Sequence, residues 1–171
     1  MHAEFLVLRL VHILSGIFWI GSGLYTFFFL SPALASTPAV MGQVMAGLQR
    51  RRVFTVQQIA AGLVLLSGLR LLMIDSAGFS GSYFATATGR TFAIAGVLAV
   101  LAAVFNFGVA RPTMERAVAV GALLAAAADP GEKARLAGEL DRLRRRGTIA
   151  ATLAVGCGIL AASGMAVARY V

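Results

Sequence analysis

The sequence predicts an all-α integral membrane protein, a four-helix bundle whose third and fourth spans are joined by a cytoplasmic helical hairpin. Three observations carry this. Hydrophobic residues make up 59% of the chain and charged residues 13%, roughly half the charged share of a soluble domain, and the mean hydropathy is +0.85. Four long apolar runs each approach the ~20 residues that a bilayer-crossing helix needs. The basic residues are also placed asymmetrically. Arg50, Arg51 and Arg52 lie in the first connection, and Arg111, Arg116, Lys133, Arg135, Arg142, Arg144, Arg145 and Arg146 lie in or beside the third. The positive-inside rule puts these two connections in the cytoplasm of a bacterial inner (plasma) membrane, with both termini and the second connection outside. Topology thus accounts for the net charge of +8, and nucleic acid is not expected as a partner. The short alternating strands of a β-barrel are absent from the pattern.

One domain, residues 1–171, is expected, with spans at about 5–34, 53–74, 91–110 and 148–167 and the hairpin at about 112–146. Span one is expected to end at Pro32. The small residues of Pro32-Ala33-Leu34-Ala35-Ser36 resemble a signal-peptidase site. The apolar run before them is far longer than the ~7–15 residues of a signal sequence, and cleavage would strand Arg50 to Arg52 outside, so the span is expected to stay. Met41, Val44, Met45 and Leu48 fall on one side of the next segment, which reads either as an interfacial helix or as a plain linker.

Span two enters with Gln57 and Gln58 and approaches the outer face at Arg70 and Asp75. The stretch from Ser76 to Arg90, rich in Gly, Ser and Thr, reads as an outer loop. Span three carries Asn106 at a depth similar to Gln57 or Gln58, so an interhelical amide hydrogen bond is expected there. Beyond it Pro112 suits the first turn of a new helix. Asp129-Pro130-Gly131-Glu132 is a helix start, with Asp as N-cap, Pro at the first position and Glu at the third. Leu136, Leu140 and Leu143 then share one face of an otherwise charged helix. Span four is dense in small residues that let helix backbones approach closely in lipid, and its lone Cys157 reads as one of them. Arg169 and Tyr170 anchor the outer interface.

The candidate site lies on span one. Arg9, His12, Gly16, Trp19 and Gly23 follow at steps of three or four and share a helix face. A charged group and an imidazole are costly in lipid and are expected to face protein, water or a ligand. At ~1.5 Å per residue, His12 lies about 10 Å and Arg70 about 7 Å below the outer surface. No acidic residue occurs within the central spans, and Glu4 and Asp75 at the rim can pair with the arginines. A basic cluster beside an imidazole suits an anionic ligand that carries a metal. Haem b meets both requirements: its iron takes a neutral imidazole nitrogen and its propionates take arginine. His12 is then the metal ligand, Arg9 and Arg70 the propionate partners, and Trp19 and Gly16 part of the ring's wall. For a second axial ligand the chain offers His2, Met73 or a second His12 from a homo-oligomeric partner. The bland alternatives are arginines that snorkel to headgroups and a histidine that is merely hydrogen-bonded. A copper(I) carrier would call for clustered Met and Cys, whereas the methionines here are scattered. Proton-coupled transport would call for a carboxylate relay in the membrane.

The run Leu8-Arg9-Leu10-Val11-His12-Ile13-Leu14-Ser15-Gly16-Ile17-Phe18-Trp19-Ile20-Gly21-Ser22-Gly23 resembles the opening helix of a group of small four-span bacterial membrane proteins. These are the CopD-type copper-resistance domain, its uncharacterised DUF2269-like relatives and the HemJ-type protoporphyrinogen oxidases. The shared signature is a histidine, six residues, then tryptophan, a small residue and glycine, met here by His12, Trp19 and Gly21. The resemblance implies a haem role for His12 and a functional role for the basic residue of span two, here Arg70. The HemJ-type Pro-Arg-Leu-Phe-like continuation is replaced by Phe28-Phe29-Leu30-Ser31-Pro32, and an arginine stands where a lysine is expected in span two. The leading expectation is therefore a b-type haem-binding membrane protein that exchanges electrons with quinone or another membrane redox partner, with no catalytic residue assigned. The alternatives are a cofactor-free accessory or scaffold subunit of a membrane complex and CopD-type copper transport.

Overall fold

The computed structural model describes residues 2–171, with side chains for all but His2, Pro38 and Ala39. The described residues are helical, with no strand among them. In chain order they are α1 (His2–Tyr25), a π-helical turn (Thr26–Leu30), α2 (Ser31–Ser36), α3 (Pro38–Arg50), α4 (Val53–Asp75), α5 (Gly81–Ala85) and α6 (Ala87–Ala103). A second π-helical turn (Val104–Ala110), α7 (Arg111–Ala126), α8 (Pro130–Val167) and a short 3-10 turn (Ala168–Tyr170) follow. Four stretches, Ala3–Ser36, Val53–Asp75, Ala87–Ala126 and Pro130–Tyr170, are helices long and apolar enough to cross a membrane. Four such helices are consistent with a multi-pass membrane protein.

The chain divides into two compact units, residues 1–100 with 157–171 and residues 101–156. In the first unit α1 and α4 run antiparallel along their full lengths. Contacts pair Glu4 with Arg70, His12 with Val64 and Ser22 with Gln57, so the residue numbers fall on one helix as they rise on the other. The buried face of α4 is Ala60, Ala61, Val64 and Ser67, a column of small residues that lets the two backbones close up. The opposite side of α1 exposes Leu6, Leu10, Leu14 and Ile17, the apolar surface expected to meet lipid tails. The C-terminal part of α8 adds two close approaches to this unit. A Cβ on Gly158 would stand 3.1 Å from Ile20, and one on Gly164 3.1 Å from Ala95.

In the second unit α7 packs against the first half of α8. Ala117 and Val120 meet Leu136 and Leu140, with Leu124, Ala127 and Leu143 packed around them. The cap expected at the start of α8 is formed: the backbone N–H of Glu132 donates to Asp129 Oδ2 at 2.7 Å, which satisfies one of the orphan donors of the first turn.

The structure decides between expectations or departs from them at three points. The segment after span one is a helix, α3, with Val44, Met45 and Leu48 half-buried and Met41 exposed. The outer loop contains the single helical turn α5, and the third apolar helix begins at Ala87 rather than Thr91. Helix continues through Pro32 to Ser36 instead of ending there. The amide of Gln57 donates to Ser22 Oγ at 3.0 Å within the first unit. The reason is register. Ser22 lies directly opposite Gln57 on the antiparallel α1, and its own hydroxyl proton goes to the Trp19 carbonyl at 3.1 Å, leaving its oxygen free to accept.

Candidate functional site

His12 sits midway along the α1–α4 contact, and α4 is built to receive it. Its Nδ1 lies 2.9 Å from the carbonyl oxygen of Val64 and 3.3 Å from Ser67 Oγ. The Ser67 hydroxyl donates to the Leu63 carbonyl one turn back, a common back-bond for a serine inside a helix. Both neighbours of Nδ1 therefore act as acceptors, and Nδ1 must carry the proton. Nε2 is then the lone-pair nitrogen of the neutral ring. It has no hydrogen-bond partner among the described residues.

The ring rests against Gly68. A Cβ there would come within 2.8 Å of His12 Cε1 and 3.1 Å of Nδ1, closer than van der Waals contact allows. Glycine at this position is thus a requirement of the imidazole. One turn further along α1, Gly16 stands against Val64, where a Cβ would make an ordinary contact at 3.8 Å. Trp19 is 4% exposed and belongs to the packed interior of the first unit.

The two arginines separate. Arg70 Nη2 and Nε donate to the same Glu4 oxygen at 2.7 and 3.0 Å, and Nη1 lies 3.8 Å from the sulfur of Met73. Both partners of the ion pair are 46% exposed, so the pair is weak and exchangeable, about 0–1 kcal/mol. Arg9, one turn above His12 on α1, is exposed and has no ion pair or hydrogen bond among the described residues. The side chain of His2, weighed as a second axial ligand, lies outside the described residues. Met73 is exposed and occupied by Arg70. Among the described residues no group of three or more His, Cys, Asp and Glu side chains comes together to hold a metal ion.

The structure therefore sets His12 and Gly16 against α4, buries Trp19 within the first unit, ties Arg70 to Glu4 and leaves Arg9 unpaired among the described residues. The residues missed in sequence are those of α4 that hold the ring: Val64, Ser67 and Gly68. A signal for them was present in the column Ala60, Val64, Ser67, Gly68, where small or β-branched residues recur at helical steps, but the register that sets His12 against it is not a property of either helix alone.

No family model, curated protein or solved structure matches the chain.

Proposed function

We propose that this multi-pass protein resides in a bacterial inner membrane and binds b-type haem, with His12 as the axial ligand through Nε2. The observation that carries the reading is the fixed tautomer. A ligating histidine characteristically donates its other ring N–H to a carbonyl or carboxylate, which orients the ring and raises the basicity of the coordinating nitrogen. The Nδ1–H donation to Val64 is of that kind, and an imidazole nitrogen without a partner inside a spanning helix is costly unless something binds it. Arg9 is the arginine free to meet a propionate; Arg70 would have to exchange Glu4 for one. Bound haem would supply a one-electron couple, and quinone or another membrane redox partner remains the proposed exchange partner. In this reading both termini face outward, Arg50 to Arg52 and the α7–α8 hairpin lie in the cytoplasm, and the spans form a four-helix bundle.

The test is an absorption spectrum of detergent-purified protein expressed with ample haem, oxidised and dithionite-reduced, for wild type and His12→Ala. A Soret band with reduced α and β bands, lost in the variant, is the expected result. Colourless wild-type protein would refute the assignment.

A second reading, a cofactor-free accessory subunit, is favoured by one specific observation: the His12 ring also serves as a packing wedge against Gly68. If that were its whole role, His12→Ala would lower stability while leaving a native complex assembled and the protein without haem. The copper reading is weakest, because the methionines are scattered along the sequence and Cys157 is a single cysteine.

A further inference from the structure

A second set of side chains, entirely within the unit of residues 101–156, has the chemistry of a lipid site. On α8, Arg142, Arg145, Ile149 and Leu153 follow at steps of three and four and, with Arg146 beside Arg145 and three residues before Ile149, form one column. The column spans the point where the helix turns from charged to apolar. Facing it, Phe105 and Val109 of the second π-helical turn complete an open groove of about 380 Å³. A neighbouring depression carries the basic surface onward to Arg144 and Thr148, with Asp141 as its one carboxylate.

The arginines of this groove are unusual for the chain. Arg111 and Arg135 each have a glutamate four residues further on, at 2.9 and 3.7 Å. Arg142, Arg145 and Arg146 form no ion pair or hydrogen bond among the described residues. Guanidinium groups stacked on adjacent turns repel one another, and their planar forks match phosphate oxygens. An inorganic anion would satisfy them but leave Phe105, Val109, Ile149 and Leu153 unused. An amphiphile with a phosphate at one end and a hydrocarbon chain at the other uses the whole groove.

We propose that this groove binds an anionic phospholipid, its phosphate held by Arg142, Arg145 and Arg146 and an acyl chain lying along Phe105, Val109, Ile149 and Leu153. Basic pockets beside spanning helices are suited to such headgroups, and each basic residue near the surface adds measurably to the attraction.

The experiment is native mass spectrometry of the detergent-purified full chain titrated with phosphatidylglycerol or with phosphatidylcholine of the same acyl chains. Wild type should retain phosphatidylglycerol preferentially. The triple variant R142Q/R145Q/R146Q should lose that preference by on the order of a hundredfold in affinity, whereas R50Q/R51Q/R52Q, with the same loss of charge elsewhere, should keep it. Equal loss in both triple variants would reduce the effect to net charge and overturn the proposal, as would equal retention of the two lipids by wild type. Displacement of the lipid by glycerol phosphate at matched concentration would also overturn it, since the apolar half would then contribute nothing. A photo-crosslinking residue at Val109, with all arginines intact, provides a check independent of the folding of the variants. It should label the acyl chain of phosphatidylglycerol over that of phosphatidylcholine, and equal labelling would again refute the site.

Discussion

Gly68→Ala is the substitution that isolates the role of His12. The added methyl carbon would stand 2.8 Å from His12 Cε1 and 3.1 Å from Nδ1, so the ring must move by more than half an ångström from its seat, an estimate set against a normal contact of about 3.5–4.0 Å. The Nδ1–H bond to Val64 is 2.9 Å long and cannot survive that movement with good geometry. Overpacking of this size costs about 1–3 kcal/mol, and an interhelical hydrogen bond in a membrane about 0.6 kcal/mol, with a ceiling near 1.7. A total near 2–3 kcal/mol is expected in the wild-type background. With His12→Ala the obstacle is gone, and the same methyl group should be nearly neutral. The difference between backgrounds is a coupling of about 2 kcal/mol, well beyond what independent sites show. The assay is denaturation in mixed micelles followed by fluorescence of Trp19, the single tryptophan, which is 4% exposed and two turns from His12. Equal cost of Gly68→Ala in both backgrounds, or none in wild type, would show that the imidazole is not seated on α4 as described.

Asp129→Ala should remove the cap on Glu132 and cost about 1 kcal/mol, seen as faster amide exchange at residues 131–133 with the rest of α8 unchanged. Leu136 is 3% exposed within the α7–α8 contact, so Leu136→Ala should cost about 2–5 kcal/mol and open residues 111–126 to exchange, while Met114→Ala, at a side chain 60% exposed, should do neither. Burial first, and the Asp75 carboxylate second, hold the Tyr83 hydroxyl above its ordinary value of 10.0. Its contribution to stability is therefore complete below pH 10 and declines as the pH rises through the higher folded value; Tyr83→Phe should delete the late component of an alkaline phenolate titration at 295 nm. Removing Gly108 from the second π-helical turn should destabilise the chain, and Pro112→Ala in the same protein should restore much of the loss, both read as thermal midpoints; equal midpoints with and without Pro112 would refute the link between the two.

The four membrane-length helices, the cap at Asp129 and the leucine face of α8 were legible because each is encoded locally, in composition, in a four-residue start signal or in helical periodicity. Nearly everything about the candidate site that depends on two helices was not. His12 stood out as an imidazole in an apolar run, yet what its ring touches depends on the register of α1 against α4. A shift of one turn would exchange Val64 and Gly68 for residues of quite different shape. The same holds for Gln57. An amide in a spanning helix announces that it will find a partner, and only the antiparallel register decides that the partner is Ser22. For Arg70, rim position correctly named Glu4 as an available carboxylate, and this is the ion pair that the structure contains.

Pro32 was expected to end span one, and the structure carries helix through it by a device that recurs at Pro112, which occupies the first turn of α7 as the sequence suggests. Pro32 and Pro112 each sit inside a continuous helical run, where a proline ordinarily breaks the helix because it lacks an N–H and its ring strikes the carbonyl of the preceding turn. Each is preceded by a π-helical turn, Thr26–Leu30 and Val104–Ala110. In both, the residue just before the proline bonds five residues back: Ser31 N–H to the Thr26 carbonyl and Arg111 N–H to that of Asn106. The wider turn holds an extra residue and relaxes the backbone where the ring has to pass. Both turns are rich in phenylalanine: Phe27, Phe28 and Phe29 in the first, Phe105 and Phe107 in the second. The second turn also presents Phe105 and Val109 to the arginine column of α8, so the proposed lipid groove depends on it. Phenylalanines that end two to four residues short of a proline within an apolar segment therefore argue in this chain for a widened helix that continues, not for the end of a span.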